Sequence, residues 1–528
     1  MPKAILLFVL AVSAFAQTPD TILINGKILT ADARFSVHQA LAIREGKVAA
    51  LGTTAAIRAS AGPATRIIDL GGRTVIPGLI DSHMHAIRAA LSFSTEVNWV
   101  GARSIPEAMR RISDAAKTRP DRWVIVAGGW TPGQFAERRP PTQGELTAAA
   151  PNNPAYIQLG YSWALLNPLG YRTLEIDEQN RLPAGARFEG DAVTGSQAAI
   201  VALFDRLPKP DPAQQLEGTR LFLRELNRLG ITGVVDPGGN NLFPNDYAAI
   251  QRVWREGALT VRVAFALNGQ TPDRESSDLA SLTQLLPMGF GDDYLKFNGF
   301  GERITFAMNN NDRPTAEQKA KFLEIAQWAA ENGATLTMHW PNNSSVGQLL
   351  DIFETVNKTM PIAPLRWSIA HLADANEATL RRMQSLGVGW TVQDATYFGA
   401  STNSKMPALN LARKLGVHVG AGTDAHRVMS YNPFTALQWL LDGKTVAGAT
   451  IGGMDQAPTR EDALRLYTID GAWFSHDDGV RGSLEVGKVA DLAVLPRDYM
   501  TIPVAEIGTL ESLLTMVGGK VVYSAKPF

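Results

Sequence analysis

The run Val75-Ile-Pro-Gly-Leu-Ile-Asp-Ser-His-Met-His85 is where the chain's architecture can first be read. Residues 75–80 form an apolar strand pattern, and two imidazoles follow it at His83 and His85. Side chains two apart in an extended segment point to the same side. His83 and His85 therefore converge beyond the strand's C-terminal end, a pair suited to one divalent metal. His-x-His recurs by chance, so the reading depends on whether other residues aim at the same point.

Seven further apolar runs of strand length lie downstream, at 231–235, 259–266, 294–297, 334–338, 367–370, 388–392 and 417–421. Amphipathic helix patterns fall between several of them, at 213–229, 316–332, 375–386 and 407–415. Strands alternating with helices indicate βα units and a parallel sheet. Eight of them predict an α/β fold, a (β/α)8 TIM-like barrel over 77–476, with an insertion at about 95–210 after the first strand. The insertion has its own strand-like runs at 123–127 and 155–159. A doubly wound sheet is less economical, because no Gly-rich phosphate fingerprint follows any strand. Short strand patterns at 21–30, 40–52, 487–495 and 516–523 are too few at either end to close a core. They predict one small composite β-sandwich from 17–76 and 477–528.

Residues 1–16 read as a signal peptide: Lys3, an apolar run over 4–15, and the small-x-small site Ala14-Phe15-Ala16. The mature chain is expected to be exported after cleavage following Ala16, to a periplasmic or extracellular address. With 45% hydrophobic and 19% charged residues among 528, the chain can bury a large core, which excludes global disorder. Lys+Arg 50 against Asp+Glu 51 leaves no electrostatic footprint for nucleic acid or an anionic membrane. The expected partner is a small molecule, with room for a homodimer. There is no Cys, which excludes disulfides, thiolate metal sites and a cysteine nucleophile.

Three more candidate ligands stand at strand ends. His339 closes Ala334-Thr-Leu-Thr-Met-His339, His371 closes Trp367-Ser-Ile-Ala-His371, and Asp424 closes Val417-His-Val-Gly-Ala-Gly-Thr-Asp424. They fall after strands five, six and eight, on the rim where barrel active sites assemble. Lys296, in Asp292-Asp-Tyr-Leu-Lys-Phe-Asn298, lies within the fourth strand. Burial lowers a lysine's pKa, and the neutral amine can add CO2 to give a carbamate able to bridge two metals. Equally, Lys296 can snorkel at the barrel end or pair with Asp292 or Asp293. Trp130, Tyr161, Trp340, Tyr397 and His426 are candidates to wall a substrate pocket.

These residues resemble the amidohydrolase superfamily, in particular its N-substituted formamide deformylase-like branch. The most specific pieces are Ile76-Pro-Gly-Leu-Ile-Asp-Ser-His-Met-His85 and Gly482-Ser-Leu-Glu-Val-Gly-Lys-Val-Ala-Asp491. Gly129-Trp-Thr-Pro, Arg138-Arg-Pro-Pro-Thr142 and Val392-Gln393 also match that branch. The resemblance implies a metal-dependent hydrolase with one or two divalent ions, Zn2+ foremost. In it His83 and His85 bind the more buried metal, and His339 and His371 the more exposed one. Carbamylated Lys296 bridges them, while Asp424 ligates metal and serves as general base. The implied reaction cleaves a carbon–nitrogen bond other than a peptide bond. Departures from the branch are Asn298-Gly299 after the lysine, His339-Trp-Pro-Asn-Asn343, Ala370 before the strand-six His, and a His-free Tyr161-Ser-Trp-Ala-Leu-Leu-Asn167. They leave the substrate open. A lactonase or esterase would use the same activated water. A mononuclear deaminase would need a carboxylate near strand five, which His339-Trp-Pro-Asn does not offer. A metal-free envelope binding protein would be expected to have lost a ligand.

Overall fold

The structure, a computed structural model, describes residues 18–176, 182–239, 242, 244–305, 308, 312–401 and 403–528. The expected leader over 1–16 lies outside the described residues. Eight parallel strands form the centre: β1 (Leu79–Asp81), β2 (Ile231–Asp236), β3 (Arg262–Leu267), β4 (Leu295–Phe300), β5 (Thr337–Trp340), β6 (Ser368–His371), β7 (Gly389–Gln393) and β8 (Val419–Gly422). They pair in sequence order as two four-stranded sheets, β1 to β4 and β5 to β8. At one seam Phe300 forms a parallel bridge with Leu336, and at the other the Ser82 amide donates to the Ala421 carbonyl at 3.1 Å. All eight expected strands are present, several ending further along the chain than their apolar runs suggested.

The opening apolar run is not one strand. Thr74–Pro77 pairs with Lys27–Leu29 on one side and Leu492–Leu495 on the other, whereas β1 begins after Gly78 and pairs with β2. A Cβ on Gly78 would stand 2.2 Å from the Thr232 hydroxyl, so the crossing between layers demands a residue without one. Thr74–Pro77 belongs to a six-stranded sheet with strands from both chain ends, in the order Lys520–Ser524, Leu514–Val517, Leu492–Leu495, Thr74–Pro77, Lys27–Leu29, Val37–His38. A four-stranded sheet from Thr21–Ile24, Ala40–Arg44, Lys47–Gly52 and Arg66–Asp69 packs on it. Leu23, Leu41 and Ile68 of the smaller sheet share a core with Ile28, Leu492 and Met516 of the larger.

The inserted region between β1 and β2 builds a five-stranded sheet that includes Val124–Val126 and Ala155–Leu159. Its core gathers Trp99, Trp130 and Phe135. Helix starts are well marked in the sequence. Pro212–Arg228 has Asp211 as N-cap, Gln214 completing the capping box and proline in the first turn. That helix buries Phe222, Leu223 and Leu226, the apolar stripe its spacing predicts. Among the described residues, no helix is long and apolar enough to cross a membrane.

Candidate metal centre

Residues at or just past the C-terminal ends of β1, β4, β5, β6 and β8 bring four imidazoles and two carboxylates together. His83 Nε2 lies 3.3 Å from Glu302 Oε2 and 3.7 Å from Asp424 Oδ1. His85 Nε2 lies 3.3 Å from Glu302 Oε1 and 3.2 Å from Asp424 Oδ1. His339 Nδ1 is 3.0 Å, and His371 Nε2 3.4 Å, from Glu302 Oε2. Two overlapping donor groups result, His83–Glu302–His371 and His83–His85–Asp424, each with its ligand atoms within 4.8 Å of one another.

Local backbone chemistry holds this arrangement. Asp81 closes β1, and its carboxylate accepts from the amides of His83 (3.0 Å) and Thr423 (3.1 Å) and from the Thr423 hydroxyl (2.7 Å). It thereby ties the His83 turn to the Asp424 turn. Gly422 allows that approach, since a Cβ there would sit 2.5 Å from the His83 nitrogen. Asp236, closing β2, accepts from the amides of Ile87 and Gly238. The Gly238 carbonyl in turn takes the proton of His85 Nδ1 at 2.5 Å, leaving Nε2 to face the carboxylates. Such an outer partner fixes the ring and its tautomer, as is common for metal-ligating histidines. The amide of His371 donates to Gln393 Oε1 at 2.9 Å, which gives the Val392-Gln393 match a positioning role.

The electrostatics separate these acids into two kinds. Burial works against an ionised Asp424. The hydrogen bond from His85 and the charges of His371, His85 and His83 outweigh burial and bring its pKa down to about 2. Glu302 is held well below the ordinary carboxylate range, again against burial, by the charge and hydrogen bond of His339 and by His371 and His83. Burial and the Arg88 charge oppose protonation of His85, yet Asp424 and Glu302 raise its pKa to about 10. Behind the cluster, burial drives Asp81 up to about 7 despite its hydrogen bonds.

The donor set fits a metal. Among the described residues neither ring nitrogen of the fully buried His83 has a hydrogen-bond partner, an expensive state for a polar group unless a ligand completes it. Imidazole and carboxylate donors with no thiolate suit zinc and similar divalent ions. His83, His85, His339, His371 and Asp424 are brought together as expected.

Lys296 is not part of this cluster. It stands near the start of β4, at the other end from Glu302, and its ammonium is hydrogen-bonded and ion-paired to Asp477. A lysine so held has no free amine for a carbamate, and its partner is neither Asp292 nor Asp293. The carboxylate from this strand that meets the imidazoles is instead Glu302, two residues past β4, which the sequence reading missed. The apolar run ends at 297, but β4 continues to Phe300. With the strand end placed there, Glu302 would have fallen on the rim like the other ligands.

The expected pocket walls fare unevenly. Trp130 is buried in the insertion's core, stacked on Phe135, with its N–H donating to the Gln158 carbonyl at 2.7 Å. Trp340 is equally buried and donates to the Ser345 hydroxyl. Both are core residues rather than pocket walls, because each indole fills apolar volume and finds its polar partner inside. Tyr397 is half-buried and lines a separate cavity with Val100 and Arg103. His426 is buried, with Nε2 2.8 Å from Glu96 Oε2, and Arg427 reaches the other oxygen of Glu96 at 3.4 Å. Tyr161 lines a cavity of about 510 Å3 between the insertion and the helix after His85.

A family described as "Amidohydrolase family" matches residues 66–523. The N-substituted formamide deformylase of Arthrobacter pascens is 26% identical over 96% of this chain and 99% of its own length. An uncharacterized metal-dependent hydrolase from Pyrococcus horikoshii OT3 superposes with a TM-score of 0.62 at 20% identity, covering 92% of this chain and 99% of that one. An adenosine deaminase from Xanthomonas campestris, solved with bound zinc, gives 0.56 at 15% identity, covering 96% and 93%. The likeness to these structures implies a TIM-barrel fold of mixed α/β content.

Proposed function

Because the chain belongs to the amidohydrolase family, we propose that it hydrolyses a carbon–nitrogen bond other than a peptide bond, in an amide or N-substituted formamide-like small molecule, on a (β/α)8 barrel. The observation that carries this reading is the pair of donor groups that share His83. In this reading one or two divalent ions, Zn2+ foremost, are held by His83, His85, Asp424, His339, His371 and Glu302. When bound, such ions supply Lewis-acid charge that acidifies water and polarises a carbonyl.

The chain's own groups do the rest. Asp424, kept ionised by its imidazole neighbours, is placed to take the proton of the attacking water at a carboxylate oxygen and to return it to the leaving nitrogen. Glu302 spreads its charge over imidazoles from three strands and so fixes their spacing. The Gly238 carbonyl keeps the proton of His85 on Nδ1, away from the reacting face. The products are an amine and an acid. The small composite sandwich braces β1 from below, and the leader at 1–16 would deliver the enzyme outside the cytoplasm.

One observation keeps a second reading open within the family. A mononuclear deaminase needs a carboxylate near β5, and Glu302 stands 3.0 Å from His339. Metal content per chain and product identity separate the two. The hydrolase reading expects close to two metals and release of a substituted amine, with Asp424→Asn losing about 10²–10⁴-fold in rate. One metal with ammonia release from an amidine-type substrate would favour the deaminase. No metal under replete conditions would overturn both.

A further inference from the structure

The cavity of about 510 Å3 against the helix that follows His85 contains one cation, Arg88, that no described side chain pairs with directly. Three basic side chains line it: Arg88, Lys209 and Arg427. Lys209 is committed to Asp205 at 2.7 Å. Arg427 pairs with Glu96 and lies over the Phe204 ring at 4.3 Å from its centre. Arg88 has neither a hydrogen bond nor an ion pair to any described residue. It is half-buried, on the helix Ala86–Ser92, whose N-cap is His85.

That position is electrostatically costly. The Arg88 charge already disfavours the imidazolium of His85, and divalent ions bound at the centre would add like charge beside it. The buried Asp236 feels the Arg88 charge but spends its oxygens on the amides of Ile87 and Gly238, and a guanidinium partly withdrawn from water whose donors find no acceptor is destabilising unless a ligand completes it. Its planar fork suits a carboxylate in particular. The surrounding wall is largely apolar, with Leu91, Ile125, Phe204, Leu207 and Leu242, and Tyr161 stands among them.

We propose that Arg88 and this cavity form a carboxylate subsite, so that the substrate is an N-acyl amino acid with an apolar side chain, or an equally acidic amide. The substrate carboxylate pairs with Arg88, its apolar body fills the cavity, and its scissile carbonyl lies at the His83–His85–Asp424 group. This inference rests on the hydrolase reading above for its chemistry, but not for its binding.

The test uses the full chain loaded with zinc and of measured metal content, as wild type, Arg88→Gln and Arg88→Lys. Turnover of N-formylphenylalanine, in both enantiomers, is compared with that of its carboxamide. Binding of 3-phenylpropanoate is compared with that of 3-phenylpropanamide by calorimetry. A charged hydrogen bond of this kind corresponds to about 10- to 100-fold in favour of the acid. The expected result is such a preference in the wild type, expressed in KM, collapsing towards unity in Arg88→Gln and partly restored in Arg88→Lys. Equal handling of acid and carboxamide by the wild type overturns the subsite. So does an acid preference that survives in Arg88→Gln. If neither compound is hydrolysed by metal-replete protein, the hydrolase reading loses its support. The subsite then stands or falls on calorimetry, according to whether 3-phenylpropanoate binding depends on Arg88.

Discussion

Lys296 and Glu302 lie at opposite ends of one strand, β4, and the chain surrounds their charges in opposite ways. At the start of β4, Lys296 meets Asp477, which is also held by Arg481 at 2.7 Å. Near that pair, His476 Nε2 finds the Thr335 hydroxyl at 2.9 Å. Past the other end, Glu302 meets four imidazoles, and one of them, His83, has no partner for either ring nitrogen. One end is electrostatically complete within the protein, and the other is complete only with something added. A buried polar cluster left unfinished marks a place where a ligand belongs. The same contrast separates Arg427, fully engaged, from Arg88.

The sharpest way to break this contrast is Glu302→Gln, which keeps shape and removes charge. Removing a metal's outer partner already costs 10–100-fold, so loss of a carboxylate that contacts all four imidazoles should exceed about 100-fold in activity. Bound metal should fall with it, as read by elemental analysis on purified protein. Full metal content and full rate in this variant would show that Glu302 is a bystander.

A second test concerns Glu96, buried with His426 and Arg427. Burial alone would raise its pKa, but Arg427 and His426 bring it down to about 2 from an ordinary 4.5. A carboxylate depressed by folding contributes stability that is fully present above pH 4.5 and is lost as pH falls towards 2. Glu96→Gln should therefore cost roughly 3 kcal/mol at pH 7, with the gap to wild type narrowing as pH drops through that window. Denaturant titrations at several pH values read this directly, and a gap independent of pH would contradict it.

The smallest effect is expected at Lys296. Lys296→Met should leave metal content unchanged, because the ammonium is engaged at the far end of the strand. It should cost about 1–3 kcal/mol, since Asp477 keeps Arg481 and both partners retain some access to water. Metal loss in this variant would restore the carbamate reading and undo the comparison.

Much of this site was legible in the sequence because periodicity locates strands and rim position gives residues a shared direction. His83, His85, His339, His371 and Asp424 all follow from that logic. Glu302 did not, because the apolar run at 294–297 stops short of Gly299 and Gly301, which lie inside or just after β4. In the structure these glycines permit close approach: a Cβ on Gly299 would stand 2.2 Å from the Thr335 carbonyl and one on Gly301 2.7 Å from that of Thr337. The division of the first apolar run at Gly78 was hidden for the same reason, since both halves are apolar and buried. Trp130 and Trp340 were misassigned because an indole carries no sequence mark of whether it faces a cavity or fills a core.

The short strand Thr74–Pro77 has a consequence for how the molecule comes into being. It sits between Lys27–Leu29, made before it, and Leu492–Leu495, made more than four hundred residues later. The strand leading towards His83 is thus paired on one side only until nearly the whole chain has been synthesised. A nascent chain has all its ligands before it has the wall that steadies them, so the order of synthesis itself delays completion of the centre until the last strands arrive.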